Sequence, residues 1–163
     1  MTAPTPRPSR DQLRLALLHA GRALGNSSAM LSHACAERLG LHATDWECVN
    51  LLNEALPDAL TAGRLAELTG LSTGAVTGVI DRLEADGFVR RERDPADRRR
   101  VIVRLEDAKM VEVTPLFAGM IADMLTLQQD YSDDDLARLG GLLTAASDIL
   151  RRHALLLREE SRR

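Results

Sequence analysis

Aromatic side chains are almost missing from this sequence: one Trp, one Tyr and two Phe in 163 residues. Any core must be aliphatic, and hydrophobic residues are abundant enough for one at 45%. Cysteine is equally sparse. Cys35 and Cys48 form neither a disulfide framework nor a zinc spacing, so a reducing cytoplasm is the simplest location. No uninterrupted apolar run reaches the roughly 18 residues needed to span a bilayer, and no membrane association is expected. The opening stretch MTAPTPRPSR lacks the apolar segment of a signal peptide. Its prolines predict a disordered tail over residues 1–10. Also missing are a G-x-S-x-G motif, a glycine loop to cradle phosphate and any His or Cys cluster at metal-ligand spacing. The expectation is a chain with no catalytic residues, no cofactor and no metal. The acidic triplet Asp133, Asp134 and Asp135 fits a helix start better than acid–base chemistry.

Net charge is -3, which by itself argues against nucleic acid. Its distribution argues the other way. Residues 88–104 hold seven arginines against three acids, whereas residues 1–87 and 105–163 are both net acidic. Screening confines electrostatic fields to about 10 Å at moderate salt, so a local patch outweighs the global sum.

Apolar spacing predicts a helix over 11–38, weakened by Gly21, Gly25 and Asn26 and ended by Gly40. A second helix is expected from an N-cap at Thr44, with Glu47 as reciprocal partner, carrying Trp46, Val49 and Leu52 inward and stopping before Pro57. Two short helices around a tight turn follow. Thr61 caps the first, which buries Leu65, Ala66 and Leu68, and Gly70 supplies the turn. Ser72 caps the second, which buries Val76, Val79, Ile80 and Leu83 and ends at Gly87. Phe88, Val89 and the next arginines read as a strand, and Asp94-Pro95 as a turn. Val101, Val103 and Leu105 then alternate with Ile102 and Arg104, as in a strand with one buried face. This order is a winged helix-turn-helix. Two further helices are expected over 106–129 and 133–158. They are long for so small a module and need a partner, most simply another chain. The fold class is therefore mainly α with a small β wing (α+β), a winged helix-turn-helix flanked by long dimerisation helices.

The helix opened by Ser72 presents Ser72, Thr73, Gly74, Thr77 and Gly78 on its non-core face. Small, hydroxylated side chains let a helix lie deep in the major groove and reach base edges. The competing reading is a small-residue helix packed on another protein element. At the hairpin tip, Arg98, Arg99 and Arg100 would stand away from the core, where a narrow minor groove attracts guanidinium. Arg90, Arg91 and Arg93 are placed to meet phosphates. Asp97 would pair with a neighbouring cation and fix the loop. The alternative is a solvated charge run.

The run Asp97-x-Arg99-x-x-x-Val103-x-Leu105, preceded by Leu83-Glu84-x-x-Gly87-Phe88-Val89-x-Arg91, resembles the winged-helix signature of the MarR family of bacterial transcriptional regulators. Thr44-Asp45-Trp46 with Leu51-Leu52, and Ala66-Glu67-Leu68-Thr69-Gly70-Leu71-Ser72 leading into Val76-Thr77, resemble the same family. The likeness covers residues 11–158. It implies a single domain, with dimerisation helices at 11–43 and 106–158 and a DNA-binding module at 44–105. It further implies a homodimer on double-stranded DNA with a palindromic operator, with Asp97 bracing the wing, Arg99 and its neighbours in the minor groove, and Thr73, Gly74 and Thr77 facing the major groove. Glu106 and Lys109 depart from the family's Thr and Gly after the last strand. Gly78 stands where a long polar side chain is common, so readout would lean on hydroxyls, wing and DNA shape.

The resemblance also implies a small-molecule effector between the dimer helices and the winged module. His19, His33, His42 and Trp46 are candidates there, against their reading as ordinary structural or surface residues. Oxidant sensing by Cys35 or Cys48 would need an accessible thiol of low pKa, and both read better as packing residues. The expected function is a sequence-specific regulator, released as a repressor by its ligand. A redox-switched regulator and a winged-helix protein-interaction module without DNA binding are the alternatives.

Overall fold

Ser9 starts the first helix. Its hydroxyl accepts from the Gln12 backbone N–H at 3.2 Å, and its own N–H donates to the Gln12 side chain at 2.7 Å, a reciprocal capping box. The computed structural model describes residues 8–95, 97 and 100–160. Helix α1 runs unbroken over Arg10–Leu39, so Ser9 and Arg10 are structured although both fall within the expected tail. Gly21 and Gly25 do not interrupt it. Gly40 ends it at φ 70, a left-handed conformation that glycine adopts without steric cost.

The chain divides into two units, Met1–Trp46 and Glu47–Arg163, and the division falls inside α2 (Ala43–Glu54). This helix begins two residues earlier than an N-cap at Thr44 would set it. Asp45 and Trp46 donate their N–H groups to the His42 carbonyl. Thr44, already in the first turn, donates instead to the Asp45 carboxylate at 3.4 Å, so the expected Thr44–Glu47 capping box does not set the start. Trp46, Val49 and Leu52 are buried as the spacing predicts.

The second unit continues with β1 (Leu60–Thr61), α3 (Ala62–Thr69), α4 (Thr73–Ala85), β2 (Val89–Arg93), β3 (Val101–Leu105), α5 (Asp107–Val113), a 3-10 turn at Thr114–Phe117, α6 (Ala118–Gln128) and α7 (Asp133–Glu160). The sheet is antiparallel in the order β1-β3-β2. Val89 faces Leu105 and Arg93 faces Val101 across the hairpin. Strand β1 is too short to show in a periodicity, yet it makes β3 central. The expected one-faced alternation of β3 fails at its start for that reason. Ile102, flanked on both sides, is buried, while Val101 lies past the end of β1 and is exposed. Leu65, Val76, Ile80, Leu83, Phe88, Val89 and Val103 form the core of the winged module. Leu68, expected inside with Leu65 and Ala66, is only half-buried. Each large aliphatic side chain that is fully buried contributes about 1.5–3 kcal/mol.

Pro115 divides what the spacing suggests is one helix over 106–129. Lacking an N–H, it cannot continue an α-helical ladder, and the chain tightens into the 3-10 turn between α5 and α6. The span Asp107–Gln128 is nevertheless long and apolar enough, by length and composition, to cross a membrane, with a mean hydropathy of 1.4 and 6% of that window buried. It is not an uninterrupted apolar run: Asp107, Lys109, Glu112 and Asp123 break it. Helix α7 starts as expected. Ser132 accepts from the Asp135 N–H at 3.2 Å and donates to its carboxylate at 2.6 Å. Arg158, near the far end of α7, donates to the Thr69 carbonyl. The apolar positions that helical spacing marks on α1 (Leu13, Leu17, Leu24), α6 (Met120, Ile121, Met124) and α7 (Leu139, Leu143, Ile149) are all exposed.

Candidate nucleic-acid interface

The candidate reading surface is built by capping. Thr61 accepts from the Arg64 N–H at 3.1 Å and starts α3. Gly70 turns the chain at φ 67, and Ser72 accepts from the Ala75 N–H at 3.2 Å to start α4. Thr69, a residue the spacing does not single out, holds this turn from inside. Its buried hydroxyl donates to the Leu65 carbonyl at 2.7 Å and accepts from the Leu71 N–H at 3.3 Å. With Val76, Val79, Ile80 and Leu83 buried, Ser72, Thr73, Gly74 and Thr77 fall on the opposite face and are exposed. Thr77 donates its hydroxyl to the Thr73 carbonyl at 2.9 Å, which leaves its methyl as the outward group. No atom outside the helix backbone stands within 4 Å of where a Gly74 Cβ would lie. The result is a low, smooth helix N-terminus, of the kind a major groove admits.

The arginines of β2 sort into two kinds. Arg90 donates to Glu92 at 2.7 Å, to Glu106 at 3.1 Å and to the Leu105 carbonyl at 3.3 Å. The hydrogen bond to Glu92 is the main reason its pKa lies above the ordinary arginine value. Arg104 donates to the same Glu92 at 2.9 Å. Arg91 donates to Asp81 at 2.5 Å and also to Glu84, both on α4. Burial pulls the Arg91 pKa down, but these two carboxylates outweigh it and raise the value. Arg90 and Arg91, expected to meet phosphates, thus each hold two carboxylates in this structure. Arg93 is the other kind. It is exposed and forms no ion pair among the described residues.

Beyond β2 the loop is closed by backbone. The Asp94 N–H donates to the Arg100 carbonyl at 3.0 Å, and the Arg100 N–H to the Asp97 carbonyl at 2.9 Å. The Asp94 carboxylate lies 3.9 Å from the Arg100 guanidinium, so Asp94 also braces the wing, a role its Asp-Pro turn signal only hinted at. Asp97 and Arg100 are exposed. Arg98 and Arg99 lie outside the described residues.

Comparison with known proteins decides the kinship. The family model described as "MarR family" matches residues 39–100. The regulator YcgE of Bacillus subtilis (strain 168), an HTH-type transcriptional regulator, is 38% identical over 144 residues, 88% of this chain and 92% of YcgE. The chain belongs to the MarR family. The HTH-type transcriptional repressor YetL of the same bacterium is 26% identical over 65% of this chain and 63% of its own. Among solved structures, MepR of S. aureus shares the fold. A MepR point mutant from a multidrug resistant clinical isolate superimposes with a TM-score of 0.62 at 16% identity, over 89% of this chain and 99% of MepR. A different MepR point mutant, bound to an oligodeoxyribonucleotide, aligns with a TM-score of 0.50 at 18% identity, over 88% and 99%.

As a MarR-family member the chain is a DNA-binding transcriptional regulator with a winged helix-turn-helix, and not an enzyme. The candidate effector residues are not brought together. His19 and His33 are both exposed on α1, fourteen residues apart, which at 1.5 Å per residue separates them by about 21 Å. His42 is exposed, whereas Trp46 is buried. Cys35 and Cys48 are both buried, and burial pushes the Cys35 thiol above its ordinary pKa. That is the opposite of what a peroxide-sensing thiolate needs. No group of three or more His, Cys, Asp or Glu side chains gathers to hold a metal among the described residues.

Proposed function

We propose that this MarR-family regulator is a ligand-released repressor that acts in the cytoplasm, binding a palindromic operator as a homodimer. The observation that carries the reading is the pairing of two exposed features on one module. The smooth N-terminal face of α4 (Ser72, Thr73, Gly74, Thr77) fits a major groove, and the hairpin after it carries Arg93 and Arg100. In this reading Arg98, Arg99 and Arg100 enter the adjacent minor groove, with Asp97 bracing the loop from within, and Arg93 meets phosphate. The exposed apolar faces of α1, α6 and α7 support a dimer. The module at residues 44–105 then reads DNA, and the helices at 11–43 and 106–158 join the copies. Two copies with one reading helix each would place half-sites about one helical turn apart. The repressor relative YetL supports the sign of regulation.

An effector can release the operator only if it prefers one spacing of the two modules over the other. Of its candidate contacts, His19, His33 and His42 are exposed to an effector and Trp46 is buried.

Selection of bound duplexes from a random pool tests the reading. The expected result is an inverted repeat, bound with a steep loss of affinity as salt rises. Arg99→Ala should lose at least tenfold in operator affinity with unchanged thermal unfolding, the scale of a lost groove contact. An unselective pool, or wild-type affinity in Arg99→Ala, would overturn it and favour a protein-binding wing.

A further inference from the structure

We propose that Arg91 is a positioning residue: it clamps the first wing strand to the reading helix through Asp81 and Glu84, and sets the angle between wing and helix without itself touching DNA. The inference rests on the assignment of α4 and the hairpin as the DNA surface.

Three features support the clamp. Arg91 spans two carboxylates on α4, one at each end of a turn (Asp81 and Glu84), so it fixes direction as well as distance. Its backbone N–H donates to the Glu84 carboxylate at 3.1 Å, so Glu84 holds both the main chain and the side chain of β2. Finally, Arg91 sits opposite Val103 in the ladder, which passes the constraint to the second hairpin strand. The end of β2 at Arg93 lies about 7 Å along the strand from Arg91 at 3.3 Å per residue, so a tilt of about 10° at the clamp moves the strand end by roughly 1 Å, and the loop it carries by more. The minor groove that loop must enter is only about 6 Å wide.

The clamp also explains two acids beside a DNA surface. Bare, Asp81 and Glu84 would repel phosphate with two charges; paired with Arg91 the group keeps only one. Were Arg91 to leave for a phosphate, both carboxylates would be left facing the polyanion. Arg93 has no such task, and its exposure suits it to the phosphate contact.

The test compares wild type, Asp81→Asn/Glu84→Gln and Arg91→Ala on the selected operator and on nonspecific duplex across a salt series. Amide exchange at Arg91 and thermal unfolding are followed in the free proteins. If Arg91 clamps, Asp81→Asn/Glu84→Gln weakens operator binding roughly tenfold, a typical coupling between parts of one site. It lowers the specificity ratio, leaves the salt slope unchanged and speeds Arg91 amide exchange. Arg91→Ala lowers the ratio by a similar factor, again at constant slope. If Arg91 is instead a phosphate ligand, Arg91→Ala flattens the salt slope by about 0.9. Removing its carboxylate partners would then tighten binding to every duplex. That pattern overturns the proposal, as does unchanged operator affinity or unchanged amide exchange in Asp81→Asn/Glu84→Gln. A wild type without sequence preference overturns the DNA assignment itself, and the clamp's role with it.

Discussion

Glu92 stands between two guanidiniums on the wing, accepting from Arg90 at 2.7 Å and from Arg104 at 2.9 Å. The hydrogen bond from Arg90 is the largest influence on its pKa. Partial burial opposes it, Arg104 adds to it, and the carboxyl ends below the ordinary glutamate range. A group whose folded pKa is depressed favours the folded state above its unfolded pKa, about 4.3 for glutamate. That contribution is lost as pH falls through the lower folded value. Glu92→Gln should therefore cost stability at neutral pH and flatten the acid limb of the stability curve below about pH 4.3. Denaturant titrations from neutral pH down through that limb read this directly. Parallel curves for wild type and variant would show that Glu92 is not held by its arginines. The same network explains why the arginine count overstated the charge available to DNA. Arg90, Arg91 and Arg104 are all paired, which leaves Arg93 as the exposed cation of β2.

At the scale of elements, the joint between α4 and β2 is the most exacting. Gly87 takes φ 73, and nothing beyond its chain neighbours lies within 4 Å of where a Cβ would stand. The space is open, so the cost of a side chain there is purely one of backbone conformation. Gly87→Ala should cost about 1–2 kcal/mol, seen as a lower thermal midpoint. An unchanged midpoint would mean that the joint relaxes out of the left-handed region. Signals of this local kind were legible in the sequence. Thr61 and Ser72 cap the helices they were expected to cap, and Gly40, Gly70 and Gly87 turn where expected, because caps and turns depend on a few neighbouring residues. What escaped was set by distant partners. The pairs Arg91 with Asp81 and Arg90 with Glu106 join residues ten and sixteen apart, and no spacing rule predicts them. Strand β1 exists only because β3 offers it an edge. The start of α2 at Ala43 overrides a good capping residue at Thr44. The exposed face of α4 was legible for the opposite reason: once four aliphatic residues at helical spacing define the buried side, the other side follows.

At the scale of the whole molecule, the apolar faces of α1, α6 and α7 require an account. Leu139, Leu143 and Ile149 are exposed on α7, as are Met120, Ile121 and Met124 on α6. Lipid is a poor cover, because Glu112 and Asp123 would enter hydrocarbon, at a cost of at least about 2–3 kcal/mol each. A second copy is the better cover, since it meets the same stripe with the same stripe under two-fold symmetry. Symmetry also doubles the effect of any substitution. Leu139→Glu removes two apolar side chains from such an interface, about 1.5–3 kcal/mol each, and adds two carboxylates to it. The dimer dissociation constant should rise by roughly two powers of ten or more. Sedimentation at micromolar concentration would then show wild-type dimer and variant monomer, with the winged module still folded by circular dichroism. Operator affinity should fall with the dimer while binding to an isolated half-site persists, because each module keeps its own reading helix. A variant that sediments with the wild type would place Leu139 outside the interface, and one that loses half-site binding as well would make the substitution a folding defect.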